Sequence, residues 1–235
     1  MTTLRILHLY PVELGINGDV GNVLTLRRRA EWRGIEVEVV NHDIGSTPPA
    51  SVDLVHIGSG PVAGQAAVRA DLAAITPRLA EWKAAGVPFL AIAGGWQLLG
   101  TSLTTPSGKV LEGAGLFAST AVLGDRRVVG EVVVESTLGR VAGFENHSAV
   151  TAIHGIPLGS VTAGTGNGDG REGLIEGSSI ATNLHGPFLP MNPAWADVLL
   201  RAALRVESLP DASQLAALDA AAAASRIAIA GRLGV

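Results

Sequence analysis

Phe89-Leu90-Ala91-Ile92-Ala93-Gly94-Gly95-Trp96-Gln97-Leu98-Leu99-Gly100 joins an apolar run to a short amphipathic one through three small residues. A continuous apolar run bounded by glycine reads as a strand buried on both faces, here Pro88–Ile92. It breaks at Ala93-Gly94-Gly95 into a short helix over Trp96–Leu99. A sharp strand-to-helix turn puts its apex at the carboxyl edge of a sheet, with backbone N–H groups and the helix dipole aimed at it, the arrangement of a nucleophile elbow. Small residues are needed there because the two arms approach closely. An ordinary βα turn has the same composition, so this stretch alone speaks for the fold more than for the chemistry.

Outward from it, short apolar runs alternate with longer amphipathic ones, the pattern of βα units on a mostly parallel sheet. Leu4–Leu9 reads as the first strand. Asn22–Arg33 reads as a helix with Val23, Leu26 and Ala30 inward, stopped by Gly34, before a second strand over Glu36–Val40. Val52–Ile57 is a third strand, ending in Gly58-Ser59-Gly60-Pro61, and a helix over Gly64–Gly86 leads back to the elbow. The middle reads as β-rich, with strands over Val110–Leu116, Arg127–Glu135, Ser148–Thr151 and Ser160–Ala163. Leu174–Glu176 and Ile180–Leu184 resemble a hairpin, and Asn192–Val206 a helix. Beyond Pro210, the Ala-dominated Asp211–Arg232 reads as a C-terminal helix, capped by Asp211 or Ser213 and available to a partner. The expected division is a main domain over 1–206 and a helical tail over 207–235.

The 235 residues are 47% hydrophobic and 16% charged, with mean hydropathy +0.36, which excludes disorder for most of the chain. The net charge of −4 and a single basic run, Arg27-Arg28-Arg29, leave no electrostatic footprint for nucleic acid. With no cysteine there is no disulfide, no thiolate metal site and no cysteine nucleophile. The N-terminal stretch Met1–Tyr10 lacks the pattern of a signal peptide and no run is long enough for a membrane span, so a cytoplasmic location is expected.

Two further pieces carry chemistry. His185, in Asn183-Leu184-His185-Gly186-Pro187-Phe188, lies just past a strand, where a structural role is the ordinary one for a lone histidine. The Gly58-Ser59-Gly60 turn has N–H groups able to hold an oxyanion. Joined with Gly18-Asp19-Val20-Gly21-Asn22-Val23, Gly143-Phe144-Glu145-Asn146-His147 and Asp169-Gly170-Arg171-Glu172-Gly173, these pieces make the chain resemble a class I glutamine amidotransferase. Within that class it is similar to the cobyric-acid-synthase-like branch that includes the GatD glutaminase subunits of lipid II isoglutaminyl synthase.

That resemblance implies a flavodoxin-like three-layer α/β sandwich with a mostly parallel sheet and no cofactor or metal. It implies glutamine as ligand and a Mur-ligase-like (MurT-like) synthetase as partner in a heterodimer. In the family the elbow reads G-x-C-G-G-x-Q. Its cysteine attacks the glutamine amide, the histidine of H-G-P acts as base, and ammonia passes to the synthetase. Carried over, His185 is the base, Gly94 and Gly60 are the oxyanion donors, Gln97 belongs to the substrate side, and Arg127 matches the arginine that holds the α-carboxylate, with Arg126 as its rival. Asp19 and Asn22 are read as caps of the first helix.

Ala93 stands where the cysteine belongs, and a methyl group cannot attack an amide. The resemblance therefore implies an inactive pseudoenzyme of peptidoglycan biosynthesis. Its alternatives are a non-catalytic subunit that binds a partner or ligand, and ammonia supply for cobyrinate-type amidation. A deliberate Cys-to-Ala change and natural degeneration both account for Ala93. Other departures cluster near the site: Pro61-Val62-Ala63 after the glycine turn, Asn183 and Asn17 in place of aromatics, and Ser148-Ala149-Val150 after His147. They favour degeneration.

Overall fold

The computed structural model describes residues 3–235. In chain order the elements are β1 (Leu4–Leu9), α1 (Val20–Glu31), β2 (Val37–His42), β3 (Leu54–Ile57), α2 (Val62–Ala84), β4 (Phe89–Ile92) and α3 (Gly94–Leu99). Then come β5 (Ser102–Thr104), β6 (Val110–Glu112), β7 (Ser119–Ser136), β8 (Gly139–Ile153), β9 (Gly159–Ala163) and β10 (Arg171–Glu172). The chain finishes with β11 (Leu174–Glu176), β12 (Ser179–Thr182), β13 (Leu184–His185), α4 (Phe188–Met191), α5 (Pro193–Leu204) and α6 (Ser213–Leu233).

The first sheet has the order β11-β12-β4-β3-β1-β2 and is parallel apart from β11, which forms the expected hairpin with β12. Side chains alternate across its strands. Leu7, Leu9, Val55, Ile57, Phe89 and Ala91 pack with Val68, Leu72 and Leu79 of α2. Leu4, Ile6, Leu54, Leu90 and Ile92 pack with Val23 and Leu26 of α1 and Trp195 and Leu199 of α5. Both faces are covered, which is why the strands read as continuous apolar runs. The result is the flavodoxin-like three-layer α/β sandwich that the family resemblance implies, on the mostly parallel sheet that the βα alternation called for.

The second sheet differs from its reading. Instead of short strands, β7 and β8 are 18 and 15 residues long and pair antiparallel along most of their length. Gly124-Asp125-Arg126 looks like a turn in the sequence, but it sits in a break of register between Leu123 and Val128 that the long strand absorbs. On the edge of β7 away from β8, β5 and β6 add at its start and β9 and β10 at its end, and β13 pairs with β8, setting His185 opposite Phe144.

The C-terminal helix packs on its own chain: Ile229 and Ala230 are buried against Val133 and Ala142. Arg29 of α1, nearly buried, binds Asp197 of α5 with two nitrogens at 2.8 Å and reaches Asp219 of α6 at 2.6 Å. The N-cap of α6 is Ala212, with no side-chain cap, so neither Asp211 nor Ser213 plays the part assigned from sequence. Among the described residues, no helix is long and apolar enough to cross a membrane.

Candidate active site

At the carboxyl end of β4, Ala93 has φ +40° and ψ −102°, a backbone conformation that costs an alanine on the order of 1–3 kcal/mol. Its neighbours hold it there. The Ala93 N–H donates to the Thr182 carbonyl at 2.8 Å, at the end of the adjacent parallel strand, and the Ala93 carbonyl accepts from the Gln97 N–H at 2.9 Å. Gly95 is needed for close approach, since a Cβ there would lie 2.4 Å from the Gly58 carbonyl oxygen, whereas one on Gly94 would meet only the end of the Gln65 side chain, at 2.7 Å from Nε2. The elbow is thus built against the Gly58–Gly60 turn.

His185 reaches the same edge of the sheet. Its Nδ1 lies 2.9 Å from Asp19 Oδ1, and both side chains are buried. An ionised carboxylate only accepts, so Nδ1 carries the proton; Nε2 is buried and has no hydrogen-bond partner among the described residues. Asp19 Oδ2 accepts the Ser59 N–H at 2.8 Å, and Ser59 Oγ accepts the Gly94 N–H at 3.2 Å. A hydrogen-bonded path, His185 to Asp19 to Ser59 to Gly94, therefore joins the imidazole to the elbow.

This corrects the reading of Asp19 and Asn22 as helix caps. Asp19 does occupy the N-cap position of α1, but with helical φ and ψ and no side-chain bond to the helix. A capping side chain needs the extended backbone that turns it over the first amides. Asn22 Oδ1 instead accepts the Leu189 N–H at 2.8 Å, tying α1 to α4.

A cavity of about 150 Å³ opens beside the elbow, and Ala93, Gly94, Gly60, Gln97 and Arg127 are all in its lining; His185 is not, and meets it only through Asp19 and Ser59. Arg127 Nε donates to Asn146 Oδ1 at 2.6 Å, and Asn146 Nδ2 donates to Asn17 Oδ1 at 3.3 Å. Arg127, not Arg126, faces the cavity. Asn183, read as a change in the pocket wall, lies elsewhere: its N–H donates to Glu172 Oε1 at 2.7 Å and its side chain to Asn167 Oδ1 at 3.3 Å. Burial pushes the Glu172 carboxyl upward, against the hydrogen bonds from Thr182 and Asn183.

The sequence reading missed Asn146 and His147, which also line the cavity, and the buried Glu145 behind them. Burial would raise the Glu145 carboxyl, but His147 beside it and the Gly166 and Thr165 amides at 2.9 Å outweigh that and hold it below the usual range. The Glu145-Asn146-His147 stretch stands in the sequence as a motif; its side-chain roles depend on contacts with residues distant in the chain, Arg127, Thr165 and Gly166, which leave no local mark.

Residues 5–193 match the CobB/CobQ-like glutamine amidotransferase domain. The chain is 38% identical over 216 residues to the lipid II isoglutaminyl synthase (glutamine-hydrolyzing) subunit GatD of Staphylococcus aureus, covering 89% of this chain and 88% of that protein. To the subunit of the same name from Streptococcus pneumoniae it is 32% identical, over 86% of this chain and 81% of that one. A cobyric acid synthase of Limosilactobacillus reuteri is 29% identical over 49% of this chain and 25% of its own length. In fold the chain is similar to a crystallised glutamine amidotransferase, with TM-score 0.61 and 16% identity over 84% of this chain and 98% of that one. PurLQS from Thermotoga maritima superposes with TM-score 0.50 and 15% identity, over 87% and 99%.

Proposed function

We propose that this chain, which belongs to the CobB/CobQ-like glutamine amidotransferase family, is a GatD-type subunit that pairs with a Mur-ligase-like (MurT-like) synthetase and does not itself hydrolyse glutamine. The synthetase would amidate the D-glutamate of a peptidoglycan precursor. The observation that carries the reading is Ala93: a buried methyl on a strained elbow whose backbone still has the form that presents a nucleophile.

In a relative with a thiol at that apex, each retained group has a task. The imidazole takes the thiol proton at Nε2, while Asp19 fixes the ring and stabilises the imidazolium. The thiolate attacks the glutamine amide carbon, backbone N–H groups at the elbow and the glycine turn hold the oxyanion, ammonia leaves, and water cleaves the thioester. Here there is no thiol proton for the imidazole to take and no sulfur electron pair to attack the amide. Arg127, steadied by Asn146, offers the rest of its fork to a carboxylate, so glutamine binding is compatible with the loss of turnover.

The extent of the match favours a peptidoglycan acceptor over a corrinoid one, because the cobyric acid synthase relative aligns with about half of this chain and the GatD relatives with most of it. The test is reconstitution with a Mur-ligase-like synthetase and lipid II. A complex forms, and amidation proceeds with ammonium chloride but not with glutamine. Amidation from glutamine, or failure to form a complex, defeats the reading.

A further inference from the structure

We propose that Ser59 occupies one of the two anion-stabilising donors of this site from within, the Gly94 N–H, so that oxyanion stabilisation is impaired in addition to the loss of the nucleophile. The inference rests on the reading of the site as a glutaminase site that has lost its thiol. Gly94 carries the first amide after the elbow's apex, and that N–H is already donated to Ser59 Oγ at 3.2 Å in a buried contact. A tetrahedral oxyanion formed at the apex needs the same proton.

The turn's architecture leaves Ser59 as the single place for a side chain. A Cβ on Gly58 would stand 2.3 Å from the Leu14 carbonyl oxygen and one on Gly60 would stand 2.2 Å from the Glu13 carbonyl oxygen, so both flanking positions are closed by backbone. Position 59 points the other way, toward the elbow and into the cavity lining. Its backbone is fixed in turn, since the Ser59 N–H donates to Asp19 Oδ2 at 2.8 Å. For Gly94 to serve a substrate, the hydroxyl must rotate away from a buried donor, at a cost of roughly tenfold to a hundredfold in rate, the scale of one buried hydrogen bond lost.

The test uses the full-length chain carrying Ala93→Cys, alone and combined with Ser59→Gly or Ser59→Ala. Each protein is treated with 6-diazo-5-oxo-L-norleucine, a glutamine analogue whose ketone oxygen takes the place of the amide oxygen, and separately with iodoacetamide, which reports only the reactivity of the thiol. Capture by the analogue, normalised to iodoacetamide labelling, should rise at least about tenfold when the Ser59 hydroxyl is removed. Equal normalised capture with and without that hydroxyl overturns the role of Ser59 and leaves the glutaminase reading standing. No capture in any variant, with iodoacetamide labelling intact, overturns that reading and the inference with it.

Ser59→Ala removes one oxygen and keeps the backbone, so it decides the question if Ser59→Gly does not fold. In the chain without the thiol, Ser59→Ala should also move the Gly94 amide proton resonance upfield, as expected for an amide released from its acceptor. An unmoved resonance contradicts the contact.

Discussion

Two histidine–aspartate pairs stand at the carboxyl edge of the parallel sheet, and they are finished differently. His42, at the end of β2, has both ring nitrogens engaged: Nε2 with Asp71 Oδ2 at 2.8 Å and Nδ1 with Ser46 Oγ at 3.1 Å. Asp71 also accepts the Tyr10 hydroxyl at 2.7 Å and the Gly45 N–H at 2.7 Å. His185 has one nitrogen on Asp19 and the other buried without a partner. Saturation marks the first pair as a clamp between β1, β2 and α2. On the proposed reading, the open nitrogen leaves the second pair unsaturated, as a base that reaches the elbow through Asp19 and Ser59 would be.

The sharpest way to break this contrast is Asp71→Ala. It strands three donors, two of them within the packed edge of the sheet, and should cost about 3–4 kcal/mol in urea unfolding. It should leave ligand binding at the elbow cavity unchanged. A loss under about 1 kcal/mol would mean that Asp71 is no clamp.

A third pair has no carboxylate at all. His8 and His56 lie with ring centroids 5.2 Å apart on the α1 side of the sheet. Burial lowers His8 to about 4; burial first, and the His8 charge second, lower His56 to about 3. Folded values below the unfolded 6.5 mean that the folded chain prefers the neutral rings. Their stabilising contribution is complete above pH 6.5 and is lost as the pH falls toward 4, at up to roughly 1.4 kcal/mol per pH unit for each ring. Glu172, raised by burial, works in the opposite sense, since its protonation on acidification relieves a cost. Urea midpoints should therefore drop between pH 6.5 and 5, before most carboxylates titrate, and flat midpoints over that interval would contradict the burial of neutral imidazoles. A His8→Phe variant should lessen the drop.

The smallest effect is expected at the elbow itself. Ala93→Gly relieves the positive-φ strain, worth about 1–3 kcal/mol, and loses a buried methyl, about 0.8 kcal/mol, and chain entropy, about 0.5–1 kcal/mol. The net change should lie between a loss of about 1 kcal/mol and a gain of about 2 kcal/mol. A loss beyond about 2 kcal/mol would show that the methyl is packed rather than strained.

What was legible in the sequence was local. The parallel strands announced themselves because burial on both faces makes unbroken apolar runs, and the elbow because small residues crowd its apex, with Gly95 closed by backbone. The pairing of Asp19 with His185 joins residues 166 positions apart and has no periodicity to betray it. A helix-start position made capping the natural reading of Asp19, and only the backbone angles show that its carboxylate turns inward. The length of β7 was hidden by Gly124-Asp125-Arg126, turn residues used here for a break in register. The partnership of Ser59 with Gly94 was invisible for the same reason as Asp19: it is made between two turns that the sheet brings together.

The claim on which all of this depends is that an intact elbow, base and carboxylate do not amount to a glutaminase without a thiol. Ammonia release from L-glutamine by the unmodified chain, measured alone and with a Mur-ligase-like synthetase bound, tests it most directly. The expected result is a rate no higher than that of buffer, because oxyanion donors and binding without a covalent nucleophile give at best a modest acceleration. Steady turnover that His185→Ala abolishes would contradict it.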